Sequence, residues 1–525
     1  MDSRKGAAVS YPMTSFVAKT WVLVAAILGS AMAFIDGSAV NVALPVIQRD
    51  LAANAAQMQW VVEGYALFLS ALILLGGSLG DLYGRKRLFV AGIVIFTAAS
   101  LGCAFAPSIQ VLIAARCVQG IGAACAMPES LALISATFTG GERGRAIGTW
   151  SGFASITAAA GPVLGGWLAQ HASWRWVFLI NAPLALIVLI IAARCVPESR
   201  DEKMPQRLDI PGALLATVGL GLFTYGLIGS QGGTPGAPAI ASLLAGVVLL
   251  GAFIVVERRS PAPMMPLDLF ASRTFASTNL YTFLLYAALG GSLYFLPYLL
   301  VDVQQYTPTA AGASLLPFVL LQFVLSRWSG GLVARIGPKI PLAVGALLSA
   351  AGYVLFAVPG IGGSYWTTYF PAALVLGLGG ACFVAPLTTA VFDAVETEKS
   401  GVASGVNNAV ARTAGLVAVA AFGIVLAGVF NADFDRRVAH RQLSPATERI
   451  VHADRALLYA GTVPADVPAG DRPTVGAAVR ESYLAGFRAV MLATASVCVL
   501  AAIVALGAIP GRLRKTAAKP AYGRP

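Results

Sequence analysis

Three carboxylates and one guanidinium interrupt runs of sequence that are otherwise apolar. Asp36 follows the uncharged run "WVLVAAILGS" that starts at Trp21, Glu63 follows "MQWVV", and Arg116 and Glu129 share the stretch 110–138. Asp36 lies 15 residues past Trp21, about 22 Å along a helix. A charge that deep in a bilayer costs about 2.5–3.5 kcal/mol on insertion scales. Burial favours the neutral form of a carboxyl and a nearby cation favours the charged form, so an acid held between the two binds and releases a proton. Arg116 could snorkel to the interface, but Gln119, Gly120 and Ala123 share its helix face, so the preferred reading is a buried cation that biases a nearby acid in this way. Asp36, Arg116, Glu63 and Glu129 are thus the candidate groups for coupling a proton or a substrate. Glu129 comes 13 residues after Arg116 and points to roughly the opposite side of the helix, so the two are not expected to pair. A structural hydrogen bond between helices is the competing account of Glu129.

The elements that must position these groups are membrane helices. Of 525 residues, 57% are hydrophobic and 11% charged, against roughly 25% charged in soluble domains. Mean hydropathy is +0.77. Apolar spans of about 20 residues are expected near 21–44, 58–79, 88–106, 110–138, 147–169, 176–194, 210–230, 239–256, 275–301, 310–332, 340–358, 366–392, 402–430 and 486–508. "AMA" at 31–33 imitates a leader-peptide cleavage site, but the apolar run continues through Leu44, which suits an uncleaved span. The net charge of +12 needs no nucleic acid. With the N-terminus inside, Lys and Arg fall in inner segments: Arg85, Lys86 and Arg87, Arg143 and Arg145, Arg258 and Arg259, Arg335 and Lys339. An even number of spans then leaves both termini in the cytoplasm, in a multi-pass protein of the cell (inner) membrane.

No cofactor and no metal site is expected. The six cysteines form no CxxC pair and read as buried free thiols, and no GxxxxGK[ST] loop occurs. Residues 431–485 are polar and read as an outer cap, with an amphipathic helix around "ATERIVHADRALLYAG". A faded repeat aligns "GSLGDLYGRK" at 77–86 with "GGLVARIGPK" at 330–339, pairing Gly77 with Gly330, Gly84 with Gly337 and Lys86 with Lys339. The expected organisation is a tail at 1–20, a six-helix bundle at 21–194, a linker with two extra helices at 195–274, a second six-helix bundle at 275–508 and a tail at 509–525.

Four ordered motifs carry a family resemblance. "GSLGDLYGRKRL" resembles the loop signature G-x-L-a-D-r-x-G-r-k of the major facilitator superfamily through Gly77, Leu79, Asp81, Gly84, Arg85 and Lys86, with Leu82 in place of the usual Arg. "LIAARCVQGIGAA" resembles its fourth-helix motif through Leu112, Arg116, Gln119, Gly120 and Gly122. "GTWSGFASITAAAGPVLGG" resembles the antiporter motif of its fifth helix through Gly148, Gly161, Pro162, Gly165 and Gly166, with Thr157 for Gly. "DGSAVNVALP" at 36–45 resembles the first-helix motif of the fourteen-helix drug:proton antiporter branch, with Ser38 for Thr, and "WRWVFLINAP" fits the same branch.

The resemblance implies an all-α membrane protein of two six-helix bundles plus an inserted helix pair. It implies a secondary transporter, not an enzyme, that exports hydrophobic or cationic compounds in exchange for protons by alternating access. It also supports Asp36 as the coupling acid. The partners expected are the lipid bilayer, protons and a small-molecule substrate; an accessory export protein is left open. Gly77, Asp81, Gly84, Arg85 and Lys86 read as a cytoplasmic gate, or as a plain orientation signal. The Gly148–Gly166 helix reads as a close-packing face, with or without a part in antiport. Asn41, Gln119, Asn407, Asn408 and Arg412 are candidates for lining a cavity or joining helices, and Arg327 for snorkelling. Phe283, Tyr286, Tyr294 and Phe295 are read as drug-site aromatics or packing. Transport of one specific metabolite is the alternative, and a polytopic membrane enzyme or sensor the remote one.

Overall fold

The computed structural model describes residues 16–200, 208–231, 235–395, 400–439, 441, 443–453, 463–464 and 466–511. Within them, fourteen helices are long and apolar enough to cross a membrane. They are α1 (Phe16–Asp50), α2 (Ala55–Tyr83), α3 (Arg85–Ala104), α4 (Ile109–Thr137), α5 (Gly140–His171), α6 (Trp176–Cys195) and α7 (Ile210–Gly229). The rest are α8 (Ala237–Arg259), α9 (Arg273–Tyr298), α10 (Pro308–Ala313 and then Leu316–Ile336), α11 (Lys339–Ala357), α12 (Tyr369–Asp393), α13 (Ser400–Ala439) and α14 (Arg472–Ala508). Apolar segments adopt helices because hydrocarbon offers no partner to the backbone, and a helix satisfies its own. The ends are capped where the chain leaves the apolar layer. Asn54 and Gln57 form a reciprocal cap on α2, while Ser108, Asp209, Ser272 and Thr307 cap α4, α7, α9 and α10.

The repeat seen in the sequence is a repeat of backbone. Gly84 ends α2 with φ +117° and Gly337 ends α10 with φ +75°, and each N–H closes the last turn onto a carbonyl four residues back. L-residues rarely adopt these angles, so glycine makes both turns. Eight residues further on, Gly92 and Gly345 hold equivalent places. A Cβ on Gly92 would stand 2.7 Å from the Ala126 nitrogen of α4, and one on Gly345 would stand 2.9 Å from the Gly379 oxygen of α12. Lipid gives two helices no hydrophobic reason to associate, so contact of this closeness is what holds them.

The face of the bundle that holds the α2–α3 turn and the start of α1 is here the near face; the other is the far face. At the far face, α5 and α10 meet backbone to backbone. Gly166 abuts the Pro308 carbonyl, Gly312 abuts the Pro162 carbonyl, and the Thr309 N–H donates to Gln170 Oε1 at 3.2 Å. Towards the near face the two diverge. A Cβ on Gly144, Gly148 or Gly152 would meet nothing within 4 Å, and Val324 of α10 is 66% exposed.

The inserted pair has an asymmetric seat. α7 packs on both α2 and α13, whereas α8 packs on α7. Gln231, just past α7, donates to Gln59 of α2 at 2.8 Å and to the Ala420 carbonyl of α13 at 3.2 Å.

The expected outer loop at 431–485 is shorter in the structure. α13 runs on to Ala439 and α14 starts at Arg472. Ion pairs carry the helices beyond the apolar layer: Asp433 with Arg437 at 2.5 Å one turn on, and Arg437 with Glu481 of α14. A helix at Pro445–Ala453 covers part of the expected amphipathic segment; 454–462 lie outside the described residues. Asp471 accepts from Ser444 Oγ at 2.8 Å and Thr447 Oγ1 at 2.5 Å, and these donors hold its carboxyl below the usual carboxylate range.

Gly312→Val places a branched side chain against the α5 backbone, and overpacking of this kind costs about 1–3 kcal/mol. In a cysteine-free background it should raise labelling of Ala311→Cys by an impermeant maleimide about tenfold. Unchanged labelling would show that this seam does not keep the far face closed.

Candidate functional site

The deepest polar cluster is built on Asp36, halfway along α1. Arg116 of α4 donates through Nη1 to Asp36 Oδ2 at 2.5 Å. Gln119, one turn further along α4, donates through Nε2 to Asp36 Oδ1 at 2.9 Å and accepts from Arg116 Nη1 at 2.7 Å. Asn181 of α6 donates to Asp36 Oδ1 at 3.4 Å and to Ser100 Oγ of α3 at 3.0 Å, and Ser100 donates to the Phe178 carbonyl at 2.9 Å. Arg116 Nε donates to the Val61 carbonyl of α2 at 3.0 Å. One carboxylate therefore collects five helices: α1, α2, α3, α4 and α6.

The pair is dry, with side-chain exposures of 1% for Arg116 and 0% for Asp36. The guanidinium lies over the Tyr65 ring at 4.3 Å and near the Phe178 ring at 5.8 Å. All three side-chain groups on Asp36 are donors, the pattern a carboxylate anion takes. A proton arriving at Asp36 would cancel the charge that Arg116 faces and remove an acceptor from Gln119 or Asn181. Chemically the cluster ties one carboxylate to the packing of the helices around it.

Sequence reasoning brought Asp36, Arg116 and Gln119 together but missed Asn181, Ser100 and Tyr65. The signal for Asn181 lay in "WRWVFLINAP". That stretch is pinned to α1 at two depths: Trp174 Nε1 and Arg175 Nη1 donate to Asp50 at 2.8 and 3.0 Å, and Asn181 reaches Asp36.

Glu63 and Glu129 are not part of this cluster. Both are buried, and neither carboxyl has a hydrogen-bond partner among the described residues. Glu63 sits on α2 between Gln59, which meets Gln231, and Leu67, which packs with Leu220 of α7 and Leu416 of α13. It therefore faces the seam of α2, α7 and α13. Glu129 lies near the other end of α4, its carboxyl against the Cα of Gly80, in the space where a Cβ would be. Its charged neighbours are Asp81, Arg85 and Glu198.

That places Glu129 beside the gate-motif turn. Arg85 Nε donates to Asp81 Oδ1 at 2.8 Å. Glu198, past the end of α6, accepts from the Lys86 and Arg87 N–H groups at 3.0 and 3.2 Å, and the Arg85 N–H donates to the Ser199 carbonyl at 2.9 Å. The carboxylate neutralises orphan donors at the α3 N-terminus. Glu198 was not flagged by the sequence. Gly77 approaches Pro128 of α4, and Lys86 Nζ donates to the Ala193 carbonyl at 3.4 Å.

Of the antiporter-motif residues, Gly161 and Gly165 press on α1 at Ser38 and Ala39, Gly166 and Pro162 meet α10, and Gly148 faces open space. Asn407 joins α13 to α9 through Asn279 Oδ1 at 3.1 Å and Thr282 Oγ1 at 2.7 Å. Asn408 is exposed and bonds its own helix, and Asn41 leaves Oδ1 unpartnered. Arg412 reaches across to Met127 of α4. The Arg327 side chain lies outside the described residues. Tyr294 and Phe295 are core residues that stack edge to face at 4.9 Å.

Comparison with known proteins agrees with this architecture. The family model described as Major Facilitator Superfamily matches residues 26–420. The chain belongs to the Major Facilitator Superfamily. It is a multi-pass membrane protein of a transporter family and not an enzyme. Among relatives in the superfamily, the chain is 35% identical to the multidrug resistance protein Stp of Mycobacterium tuberculosis (strain CDC 1551 / Oshkosh), over 91% of this chain and 90% of that one. It is 31% identical to the tetracenomycin C resistance and export protein of Streptomyces glaucescens, over 94% and 93%. It is 33% identical to the cephamycin export protein CmcT of Amycolatopsis lactamdurans, over 81% and 88%. Among solved structures, a bacterial homolog of the human lysosomal transporter Spinster shares the fold with a TM-score of 0.64 at 17% identity, over 94% of this chain and 97% of that one.

Removing one partner of a buried ion pair leaves the other uncompensated, a loss of about 3–5 kcal/mol. Asp36→Asn and Arg116→Gln should each lower the apparent melting temperature of the purified protein, and the double variant should regain part of the loss. Additive losses would mean that the two residues act independently.

Proposed function

We propose that this chain is a proton-coupled exporter of drug-like compounds that works by alternating access in the inner membrane, with the near face and both termini in the cytoplasm. The orientation is supported by Arg85, Lys86, Arg87, Arg143, Arg145, Arg258, Arg259 and Lys339, which crowd the near-face turns. The substrate class is supported by the relatives, named for multidrug resistance and for resistance to and export of antibiotics. The observation that carries the coupling is the dry Asp36 carboxylate within a ring of N–H donors from α4 and α6. A proton there changes the packing of the first half rather than one contact. A potential of 100 mV supplies about 2.3 kcal/mol per charge moved, enough to concentrate a substrate roughly fifty-fold.

The α5–α10 seam, joined at the far face and open towards the near face, supports a cavity reached from the cytoplasm. The Asp81–Arg85 pair and Glu198 then serve the cytoplasmic gate, which must break and re-form as the halves rock.

In proteoliposomes carrying a pH gradient, a panel of antibiotics should include compounds that drive proton movement, and Asp36→Asn should abolish that flux. Proton movement that survives Asp36→Asn removes Asp36 from the coupling role. No substrate-linked proton flux with any compound overturns antiport. Asp81→Asn should insert normally and transport at about a tenth of the wild-type rate, as expected for loss of a partly buried charge contact of about 1.4 kcal/mol. Full transport by that variant leaves the turn as an orientation signal only.

A further inference from the structure

Arg412 is a cation deep in the bundle that no described acid answers. It lies 12 residues past Ser400, about 18 Å along α13 and near the middle of the membrane. That is too deep for its side chain to reach either surface. Its Nη2 is 3.4 Å from the Met127 sulfur of α4, and its Nε has no partner. A thioether is a weak acceptor, and a guanidinium carries five N–H donors. No described carboxylate pairs with it; its electrostatic neighbours are the hydroxyls of Tyr65 on α2 and Tyr286 on α9. The nearest acids of the first half lie elsewhere: the Glu129 carboxyl, two residues past Met127 on α4, rests against Gly80, and Asp36 is taken by Arg116.

The contrast with Arg116 is informative. Arg116 is closed in, bonded on two nitrogens and stacked on a ring. Arg412 is only half-buried, as is Tyr286. It stands between the halves: its helix belongs to the second and its sulfur contact to the first. A cation kept uncompensated at this depth is costly, and protein interiors offset such a cost with an anion. The guanidinium fork matches a carboxylate, and the phenols of its electrostatic neighbours Tyr65 and Tyr286 are neutral donors for such a group.

We propose that Arg412, with Tyr65 and Tyr286, receives an acidic group of an amphipathic organic substrate, a carboxylate or an acidic phenol, so that the chain exports organic acids rather than hydrophobic cations. This rests on the export reading above and names its substrate class. An inorganic anion offers the same chemistry from another source.

The test compares two aromatic dyes, fluorescein as the organic acid and ethidium as the cation, in proteoliposomes of the full chain under a pH gradient. Wild-type protein should move fluorescein. Arg412→Gln should raise the KM for fluorescein at least about tenfold, the loss expected for a charge-assisted hydrogen bond, and Arg412→Lys should recover part of it. Any ethidium transport should be unchanged in both variants. If Arg412→Gln does not reach the membrane, Tyr286→Phe replaces it and should raise the fluorescein KM several-fold without touching ethidium. Ethidium transport without fluorescein transport, or equal effects of the variants on both dyes, overturns the proposal and leaves export standing. Suppression of fluorescein transport by millimolar chloride or phosphate assigns the site to an inorganic anion and overturns it too. If neither these dyes nor the antibiotic panel moves, the export reading falls and this assignment falls with it.

Discussion

The first half of the molecule is organised around one buried charge pair. A carboxylate and a guanidinium with no access to water are stable only if nearly every oxygen and N–H is met. Asp36 and Arg116 meet that demand by recruiting Gln119 and Asn181 and by borrowing the Val61 carbonyl. Each recruit fixes the rotation and depth of a helix. A bilayer supplies no such specification, because an apolar helix in lipid turns at little cost. The pair is thus the register mark for the helices around it, and on the coupling proposed above a proton at Asp36 would act on that packing as well.

Close packing does the remaining work. Where α3 meets α4 and α11 meets α12, glycines at equivalent places of the two halves remove the Cβ that would hold the backbones apart. The turns at Gly84 and Gly337 start these pairs with the same rare backbone angle. The halves differ in what was added to that shared frame. The first turn carries the Asp81–Arg85 ion pair; the second has Ala334 and Pro338 at those places, residue types that cannot form one.

Much of this was legible in the chain. All fourteen spans correspond to helices, since apolar length is the main constraint on a membrane segment. Asp36, Arg116 and Gln119 were legible because burial of charge demands partners, and residues three apart share a helix face. Asn181 and Glu198 were not, because their roles depend on how α6 docks on α1 and α3, which no local pattern encodes. The helical phase correctly separated Glu129 from Arg116 but could not reveal Gly80 as its neighbour on another helix. The polar region after residue 430 looked like a loop because hydropathy ends there. The helix does not, since Asp433 and Arg437 replace apolar packing with ion pairs.

The seat of the inserted helices has a consequence for traffic through the bilayer. Two half-bundles leave two side seams between them. One runs beside α2 and α13, and α7 lies across it, clamped at its far end through Gln231. The other runs between α5 and α10, and among the described residues neither added helix packs over it. The fourteen-helix plan is therefore lopsided. A lipid-dissolved molecule meets an added helix on one flank; on the other it meets α5 and α10 alone, closed by backbone contact at the far face and parted only towards the near face.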